Sequence, residues 1–211
     1  MTFQFSHHPA QPAEAVTSVL AASAQDALSI YHDGSEVYGQ GEASGPLYVV
    51  EFGCIRLGRI TADGRRQVCG FCFRGDVFGW ESDAEHHFFA EAVGDAGVRV
   101  LRPNRDSEAP AKLFPVILQS MRRFQEHLLV LGRHSADERL AAFICDLAER
   151  QDDESMIALP MQRSDVADYL GLTIETVSRV LRRFKNSRLV EVPNTHSIAI
   201  LDLDGLRAVC A

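Results

Sequence analysis

The sequence predicts an α+β protein: an antiparallel β-roll of the cupin or jelly-roll type, one long helix, and a small C-terminal domain of helices and a β-hairpin. Three observations predict it. Short apolar runs broken by glycine recur between Tyr31 and Pro103, as in antiparallel strands. A regular apolar repeat then continues to Leu131, and two amphipathic segments separated by Gly171 follow. The predicted domains are residues 1–109, 110–134 and 135–211.

The composition is that of an ordinary folded chain. Hydrophobic residues occupy 46% of the 211 positions and charged residues 24%, which suits two modest domains that each bury a core. There is no stretch of about 18 consecutive apolar residues, and the first residues lack the basic-then-apolar pattern of an export signal. We therefore expect a cytoplasmic protein without a membrane span.

The net charge of −8 is unevenly distributed. Residues 135–211 carry 9 basic and 13 acidic side chains, yet five of the basic ones lie between Arg179 and Arg188, where no acidic residue occurs. Such a local basic surface suits contact with phosphates, and the acidic remainder would repel a polyanion from other faces.

The β-roll interpretation depends on alternating runs and one turn. Asp63-Gly64 lies between two of the runs and predicts a tight hairpin. Strands at this spacing favour a sandwich or roll. The predicted strands are residues 37–42, 53–60, 65–73 and 97–101, and a short helix is predicted before them at Ala13 to Ala24.

The long helix is predicted to begin at Phe114 or Pro115, where proline is tolerated in the first turn, and to end at Leu131 before Gly132. Its apolar residues step by 4, 3, 4 and 3 positions, which is the narrow seam of a helix that pairs with another helix. Two heptads are few, so packing of this helix on its own β-roll remains the alternative. The seam residues are Ile117, Met121, Phe124, Leu128 and Leu131.

The C-terminal domain opens with a capping box from Ser135 to Glu138, followed by an apolar helical stripe from Leu140 to Leu147. Two further helices are predicted, Arg163 to Leu170 and Ile174 to Asn186. Between them Gly171 allows a left-handed turn, and Thr173 can cap the second helix. This pattern predicts a helix-turn-helix. The strands of a wing follow at Leu189 to Val192 and Ser197 to Leu201, then a short closing helix from Asp202 to Ala211.

The second of these helices has an apolar face and a polar face. Glu175, Ser178 and Arg179 share the polar face near the helix N-terminus. Arginine donates to guanine O6 and N7, glutamate accepts from the cytosine amine, and serine bonds to either kind of base edge. A Glu175–Arg179 pair could instead only brace a surface helix. The turn glycine, the cap and the basic run agree, however, and they favour binding in the DNA major groove. Four basic residues are natural phosphate partners: Arg182, Arg183, Lys185 and Arg188.

The segment DVADYLGLTIETVSRVLRRF resembles the recognition segment of the CRP/FNR superfamily of bacterial transcription regulators, and GLTIETVSR is most similar to its FNR and FixK branch. VYGQGE and FRGDVFGWE resemble turns of the β-roll sensor domain in the same family. In the cyclic-AMP receptor branch the serine position is usually glycine and an arginine stands where this chain has Ile174. The resemblance therefore does not imply the DNA specificity of that receptor.

The resemblance implies a homodimer paired through the 114–131 helix, RNA polymerase as a partner, and TTGAT-like inverted half-sites in double-stranded DNA. Glu175, Ser178 and Arg179 then correspond to the base-reading residues. The positions that correspond to family phosphate contacts are Gln162, Arg163, Thr173, Thr176 and Arg182.

We expect no cofactor. The iron–sulfur cluster of FNR itself uses cysteines near the N-terminus, whereas the first cysteine here is Cys54. The family's cyclic-nucleotide cassette needs an arginine followed by serine or threonine, and the corresponding stretch HHFFAEAV has neither.

The alternative is a thiol- or metal-responsive regulator that uses Cys69, Cys72, His86 and His87. On a strand, Cys69 and Cys72 would lie about 10 Å apart at about 3.3 Å per residue, too far for a disulfide unless a bulge intervenes. Adjacent histidines on a strand would face opposite ways. We therefore interpret Cys54, Cys69, Cys145 and Cys210 as small packing residues.

A β-roll also suggests a cupin-type enzyme, whose metal site needs a His-x-His, Glu and His constellation. The eight histidines do not provide it, and no acid–base pair or nucleophile motif is present. We do not expect an enzyme.

Overall fold

The computed structural model describes residues 27–101, 109–151 and 153–210. They divide into two compact units, one that ends at Phe124 and one that begins at Gln125. The helix predicted at Ala13 to Ala24 lies outside the described residues. Within them, no helix combines the length and the apolar character that crossing a membrane requires.

The first unit contains an antiparallel sheet, which confirms the predicted β-rich domain. The strand order is β1-β6-β3-β4, with β2 paired to β6 and β5 paired to β3. The strands are β1 (Leu28–Tyr31), β2 (Glu36–Tyr38), β3 (Leu47–Ile60), β4 (Arg66–Phe73), β5 (Val77–Phe78) and β6 (Phe89–Leu101). The predicted turn at Asp63-Gly64 is present, with Gly64 at φ 79° and its N–H donating to the Thr61 carbonyl oxygen at 2.8 Å.

Several predicted strand bounds are wrong. β3 begins six residues before the predicted 53–60, and the predicted strand at 37–42 ends at Tyr38. The reason for the first error is Gly53, at φ 82°, where the register between β3 and β6 shifts. A Cβ there would meet the Asp95 carbonyl oxygen at 2.4 Å, so this glycine marks a bulge inside a strand and not its end.

The long helix α1 (Ala109–Leu131) begins earlier than predicted, so Pro115 lies inside it and not in its first turn. Leu113 and Val116 are buried with Leu47, Val49 and Leu101 of the sheet. The beginning of α1 therefore packs on its own β-roll.

The second unit is a helical domain with a three-stranded sheet of order β7-β9-β8. Its elements are α2 (Ala136–Gln151), β7 (Met156–Ala158), α3 (Arg163–Leu170), α4 (Ile174–Asn186), β8 (Val190–Asn194), β9 (Ser197–Ile200) and α5 (Leu203–Cys210). The bounds of α3 and α4 are those predicted. The capping box is confirmed, because the Glu138 N–H donates to Ser135 Oγ at 3.1 Å and Ser135 Oγ donates to Glu138 Oε1 at 2.8 Å. β7 was not predicted.

The apolar faces predicted for these helices are buried. From α2, Leu140 and Leu147 are 2% and 0% exposed. The buried residues of the other two helices are Val166, Ala167 and Leu170 on α3 and Val177, Val180, Leu181 and Phe184 on α4. The burial of one face of α4 leaves the opposite face turned outward.

Candidate nucleic-acid interface

The turn between α3 and α4 has the predicted chemistry. Gly171 ends α3 with φ 62°, in the left-handed region that glycine adopts without a Cβ penalty, and its N–H is directed to the carbonyl oxygens of Ala167 and Asp168. Arg139 of α2 secures the same turn, because its Nη1 donates to the Leu170 carbonyl oxygen at 3.2 Å. The position of α4 relative to α3 is therefore closely defined.

Thr173 caps α4, as predicted. Its backbone is extended, and its Oγ1 accepts a hydrogen bond from the Thr176 N–H at 3.2 Å. Loss of such a cap costs about 1 kcal/mol. The cap also positions Thr176, whose Oγ1 accepts from Arg179 Nη2 at 3.1 Å. Thr173 and Thr176, both candidate phosphate contacts, thus also order the start of α4.

Glu175, Ser178 and Arg179 lie together on the outward face of α4. Glu175 and Arg179 are exposed and Ser178 is half-buried. The pKa of Glu175 is lowered by a hydrogen bond from its own backbone N–H, by the Thr173 hydroxyl and by the charge of Arg179. The carboxylate therefore stays ionised and acts only as a hydrogen-bond acceptor. This face offers an acceptor, a hydroxyl and a forked donor within one helical turn.

The candidate phosphate contacts surround this face. Arg163 directs Nη1 to Ser178 Oγ at 3.4 Å, and Arg182 and Gln162 are exposed. Arg183 was interpreted as a phosphate partner, but in the structure it pairs with an acidic residue. Its Nη2 lies 2.5 Å from Asp137 Oδ1 on α2. The acidic partner lies 46 residues away in sequence, which is why the basic run alone did not reveal this pair. Arg182 and Arg183 therefore face different surroundings.

A stacked pair of aromatic rings, which the sequence did not predict, joins α1 to α3. His127 of α1 lies parallel to Tyr169 of α3, with ring centroids 3.8 Å apart and an interplanar angle of 10°. His127 is buried, and this burial lowers its pKa to about 4, so the ring is uncharged at neutral pH. The sequence did not reveal this pair for two reasons. The helix that contains His127 was interpreted only for its apolar seam, and Tyr169 is far away in sequence.

The predicted placement of His86 and His87 on a strand is wrong, because both precede β6, and His87 lies in a bend. His86 is buried and stacks on Tyr38 at 3.7 Å, whereas His87 is partly exposed. Both Nδ1 atoms approach Glu81, at 3.5 Å and 3.1 Å. In the described part of the chain, no group of three or more His, Cys, Asp or Glu side chains is arranged to hold a metal ion.

The bulge that could bring Cys69 and Cys72 together does occur. The register between β3 and β4 shifts between Leu57 and Gly58, which leaves Cys69 without a partner residue in the ladder. The two cysteines are nevertheless not joined in a disulfide. Burial raises the pKa of Cys69 to about 11, and its Sγ is directed to the Leu57 carbonyl oxygen at 3.4 Å. The Cys69 thiol is therefore protonated and weakly nucleophilic at neutral pH.

Comparisons with known proteins show to which family this chain belongs. The family model of the Crp-like helix-turn-helix domain matches residues 138–209, and that of the cyclic nucleotide-binding domain matches residues 29–107. The nitrogen fixation regulation protein FixK of Rhizobium meliloti is 42% identical over 183 residues, which cover 87% of this chain and 87% of that protein. The chain belongs to the CRP/FNR family of transcription regulators.

Two further CRP/FNR proteins support the same branch. FixK of Azorhizobium caulinodans is 36% identical over 191 residues, which cover 85% of this chain and 77% of that protein. The solved structure of FixK2 from Bradyrhizobium japonicum has a TM-score of 0.81 at 34% identity, covering 88% of this chain and 98% of that one. These findings confirm the FixK-like interpretation and the α+β fold. The protein is a helix-turn-helix DNA-binding regulator and not a cupin-type enzyme.

Proposed function

We propose that this CRP/FNR regulator binds, as a homodimer, an inverted repeat with TTGAT-like half-sites, and that it activates transcription together with RNA polymerase. The protein does so without cyclic AMP and without an iron–sulfur cluster. One observation carries the proposal: Glu175 and Arg179 are exposed one turn apart at the start of α4, with Ser178 beside them, while the opposite face of α4 is buried.

The chemistry of this face fits the proposed half-site. Arg179 donates bidentately to the guanine, and Glu175 accepts from the amine of the paired cytosine or from the next base pair. Ser178 contacts an outer thymine. Ile174, which is 47% exposed, touches a thymine methyl group. The residues around this face set the register on the phosphates. They are Gln162, Arg163, Thr173, Thr176 and Arg182.

The exposed seam of α1 supports the homodimer. Large apolar side chains at seam positions are 40–57% exposed in the single chain, an arrangement that a partner helix would cover. Leu113 and Val116 lie at other positions of the helix and satisfy its contact with the β-roll. The helix thus has one set of apolar residues on the β-roll and a second, exposed set. This favours pairing with a partner helix over the alternative that α1 packs only on its own β-roll. The exposed seam residues are Ile117, Met121, Phe124 and Leu128, and Leu131 is half-buried.

Three features support the proposed independence from an effector. Cys54, the first cysteine of the chain, is 1% exposed within β3. The stretch from His86 to Val93 contains no arginine. A thiol-responsive function based on Cys69 is disfavoured by its raised pKa.

A footprinting assay tests this function. Purified protein with no added nucleotide, metal or reductant is expected to protect both halves of an inverted TTGAT repeat whose centres lie about one helical turn, roughly 34 Å, apart. A repeat with the guanines replaced serves as the control and should lose protection. Protection that appears only after cyclic AMP, iron or reductant is added would contradict the effector-free part of the proposal.

Arg182 is expected to contribute affinity without sequence preference. Because it neutralises a phosphate, Arg182→Ala should weaken binding equally to cognate and substituted sites and make the slope of log K against log salt shallower by about one unit. Arg183→Ala is the matched control, since the neighbouring guanidinium pairs with Asp137 and should leave the slope unchanged. Binding isotherms across a salt series measure both, and equal slope changes would remove the distinction between the two arginines.

A further inference from the structure

The guanidinium of Arg139, near the start of α2, bonds to two carbonyl oxygens from different parts of the C-terminal unit. Nε and Nη2 both donate to the Arg133 carbonyl oxygen, at 3.1 Å and 3.0 Å. Nη1 donates to the Leu170 carbonyl oxygen at 3.2 Å. Arg133 follows the end of α1, and Leu170 is the last residue of α3. These hydrogen bonds, which we call the Arg139 bridge, therefore hold the end of α1 to the end of α3.

The chemistry of arginine suits this bridge. The last carbonyl groups of an α-helix lack partners within the helix, and their partial negative charge favours a nearby cation, so Arg139 stabilises the end of α3 in both ways. Its planar guanidinium donates in fixed directions to both oxygens at once, whereas the compact ammonium of a lysine lacks this fork. The bridge therefore restrains the orientation of the two ends as well as the distance between them.

The end of α1 also lies beside the turn between α3 and α4. A Cβ placed on Gly171 would be 4.0 Å from Leu131 Cδ2 and 3.7 Å from Arg139 Nη1. Leu131 is the last residue of α1 and belongs to the seam that we assign to the dimer interface. The turn that leads into α4 is therefore held directly at the end of the helix that pairs with the partner.

The stack of His127 on Tyr169 is the other contact between α1 and α3 that bears on this orientation. A stack restrains the distance between two rings but permits rotation about the normal to their planes. The Arg139 bridge joins the same two helix ends through directional hydrogen bonds, which lose strength when their angles change. The bridge thus removes a rotation that the stack leaves open.

We propose that Arg139 is a positioning residue that fixes the orientation of the helix-turn-helix relative to the end of α1, and thereby the distance between half-sites that the dimer accepts. This inference rests on the proposed homodimer and its inverted repeat. The two α4 helices of such a dimer fit half-sites at one separation only if each is held firmly relative to the two-fold axis. Arg139 itself reads no base and acts through α3 and α4.

Hydrogen exchange in the free full-length protein tests the bridge. Arg139→Met keeps a long side chain but removes the donors, so exchange should become faster at residues 131–134 and 169–172 together and stay unchanged in β8 and β9. Arg207→Met is the matched control, because Arg207 belongs to the same unit but pairs with Glu154 and Asp204 at the surface. It should leave both segments unchanged. Faster exchange in only one of the two segments, or throughout the domain, would overturn the role of the bridge.

Binding to inverted repeats of different spacing tests the consequence for DNA. Arg139→Met should bind the best-spaced repeat about tenfold more weakly. Its affinity for a single half-site, and for repeats with one base pair inserted or removed, should match that of the unaltered protein. Because Arg139 contacts no phosphate, the slope of log K against log salt should not change. Equal losses at every spacing and at the single half-site, or a shallower slope, would refute the positioning role.

A second variant and the unaltered protein keep the outcomes distinct. Arg139→Lys keeps the charge without the fork, so it should lose part of the spacing preference, and it decides the question if Arg139→Met does not fold. If the unaltered protein bound no inverted repeat, the proposed function would be wrong, and the spacing role with it. If it bound the repeat and both variants kept the full spacing preference, only the role of Arg139 would be refuted.

Discussion

The double substitution Phe124→Glu and Leu128→Glu is expected to convert the protein into a monomer that no longer binds the full inverted repeat with high affinity. The two side chains are 56% and 51% exposed in the single chain and lie in the seam of α1. Covering the exposed half of each side chain stabilises the dimer by about 0.8–1.5 kcal/mol. A two-fold dimer contains each side chain twice, so losing all four costs about 3–6 kcal/mol, or roughly 150- to 25,000-fold in the dimer dissociation constant. Facing carboxylates in a two-fold interface add like-charge repulsion.

A pair of neighbouring leucines provides the control for this experiment. Leu129 is 70% exposed, more than Leu128, but it lies outside the heptad positions of the seam. Leu129→Glu should therefore leave the protein dimeric, whereas Leu128→Glu alone should weaken the dimer. Sedimentation velocity over a concentration series distinguishes the two. A dimeric double variant, or equal effects at positions 128 and 129, would show that the helix pairs through another face or not at all.

Arg179→Ala is expected to lose about 1–3 kcal/mol of binding free energy on the site that carries the cognate guanine, or roughly 5- to 150-fold in affinity. On DNA substituted at that base pair it should lose little. The reason is geometric: the fork of the guanidinium matches the O6 and N7 acceptors of guanine, and no other base presents this pair of acceptors. The hydrogen bond from Arg179 to Thr176 orders the side chain before DNA arrives.

Competition binding across half-site variants measures this preference. Arg179→Lys keeps the charge but loses the planar fork, so it should retain general affinity and still lose most discrimination at the guanine. Arg182→Ala, by contrast, should keep the discrimination. If Arg179→Ala weakens cognate and substituted sites equally, Arg179 contacts phosphate, and the base-reading residues must be sought elsewhere on α4.

The sequence predicted the helix-turn-helix residue by residue because its determinants are local. Gly171, Thr173 and the apolar spacing of α4 act within a few residues of one another, so they are visible as a pattern. The β-roll was harder to predict. Gly53 marks a bulge within β3 and was interpreted as a strand start, since the pairing that continues the strand involves residues far along the chain.

Contacts between distant residues were missed for the same reason. The Arg183–Asp137 ion pair and the His127–Tyr169 stack each join separate elements. Neither periodicity nor spacing encodes such contacts, which depend on how one helix packs on another. The placement of His86 and His87 on a strand was wrong because β6 begins only at Phe89. In the preceding segment, Glu81 approaches both histidines.

The stack between His127 and Tyr169 has a consequence for the spacing of DNA half-sites. In the proposed dimer, Leu128 contacts the partner, while its neighbour His127 contacts α3. A single turn of α1 therefore connects the two-fold axis with the helix-turn-helix. An aromatic stack and a buried ring leave little freedom to slide. One inserted base pair moves a half-site by about 3.4 Å and rotates it by about 34°. So short a connection cannot adjust to that displacement. The regulator should therefore discriminate against a wrong distance between half-sites as strictly as against wrong bases within them.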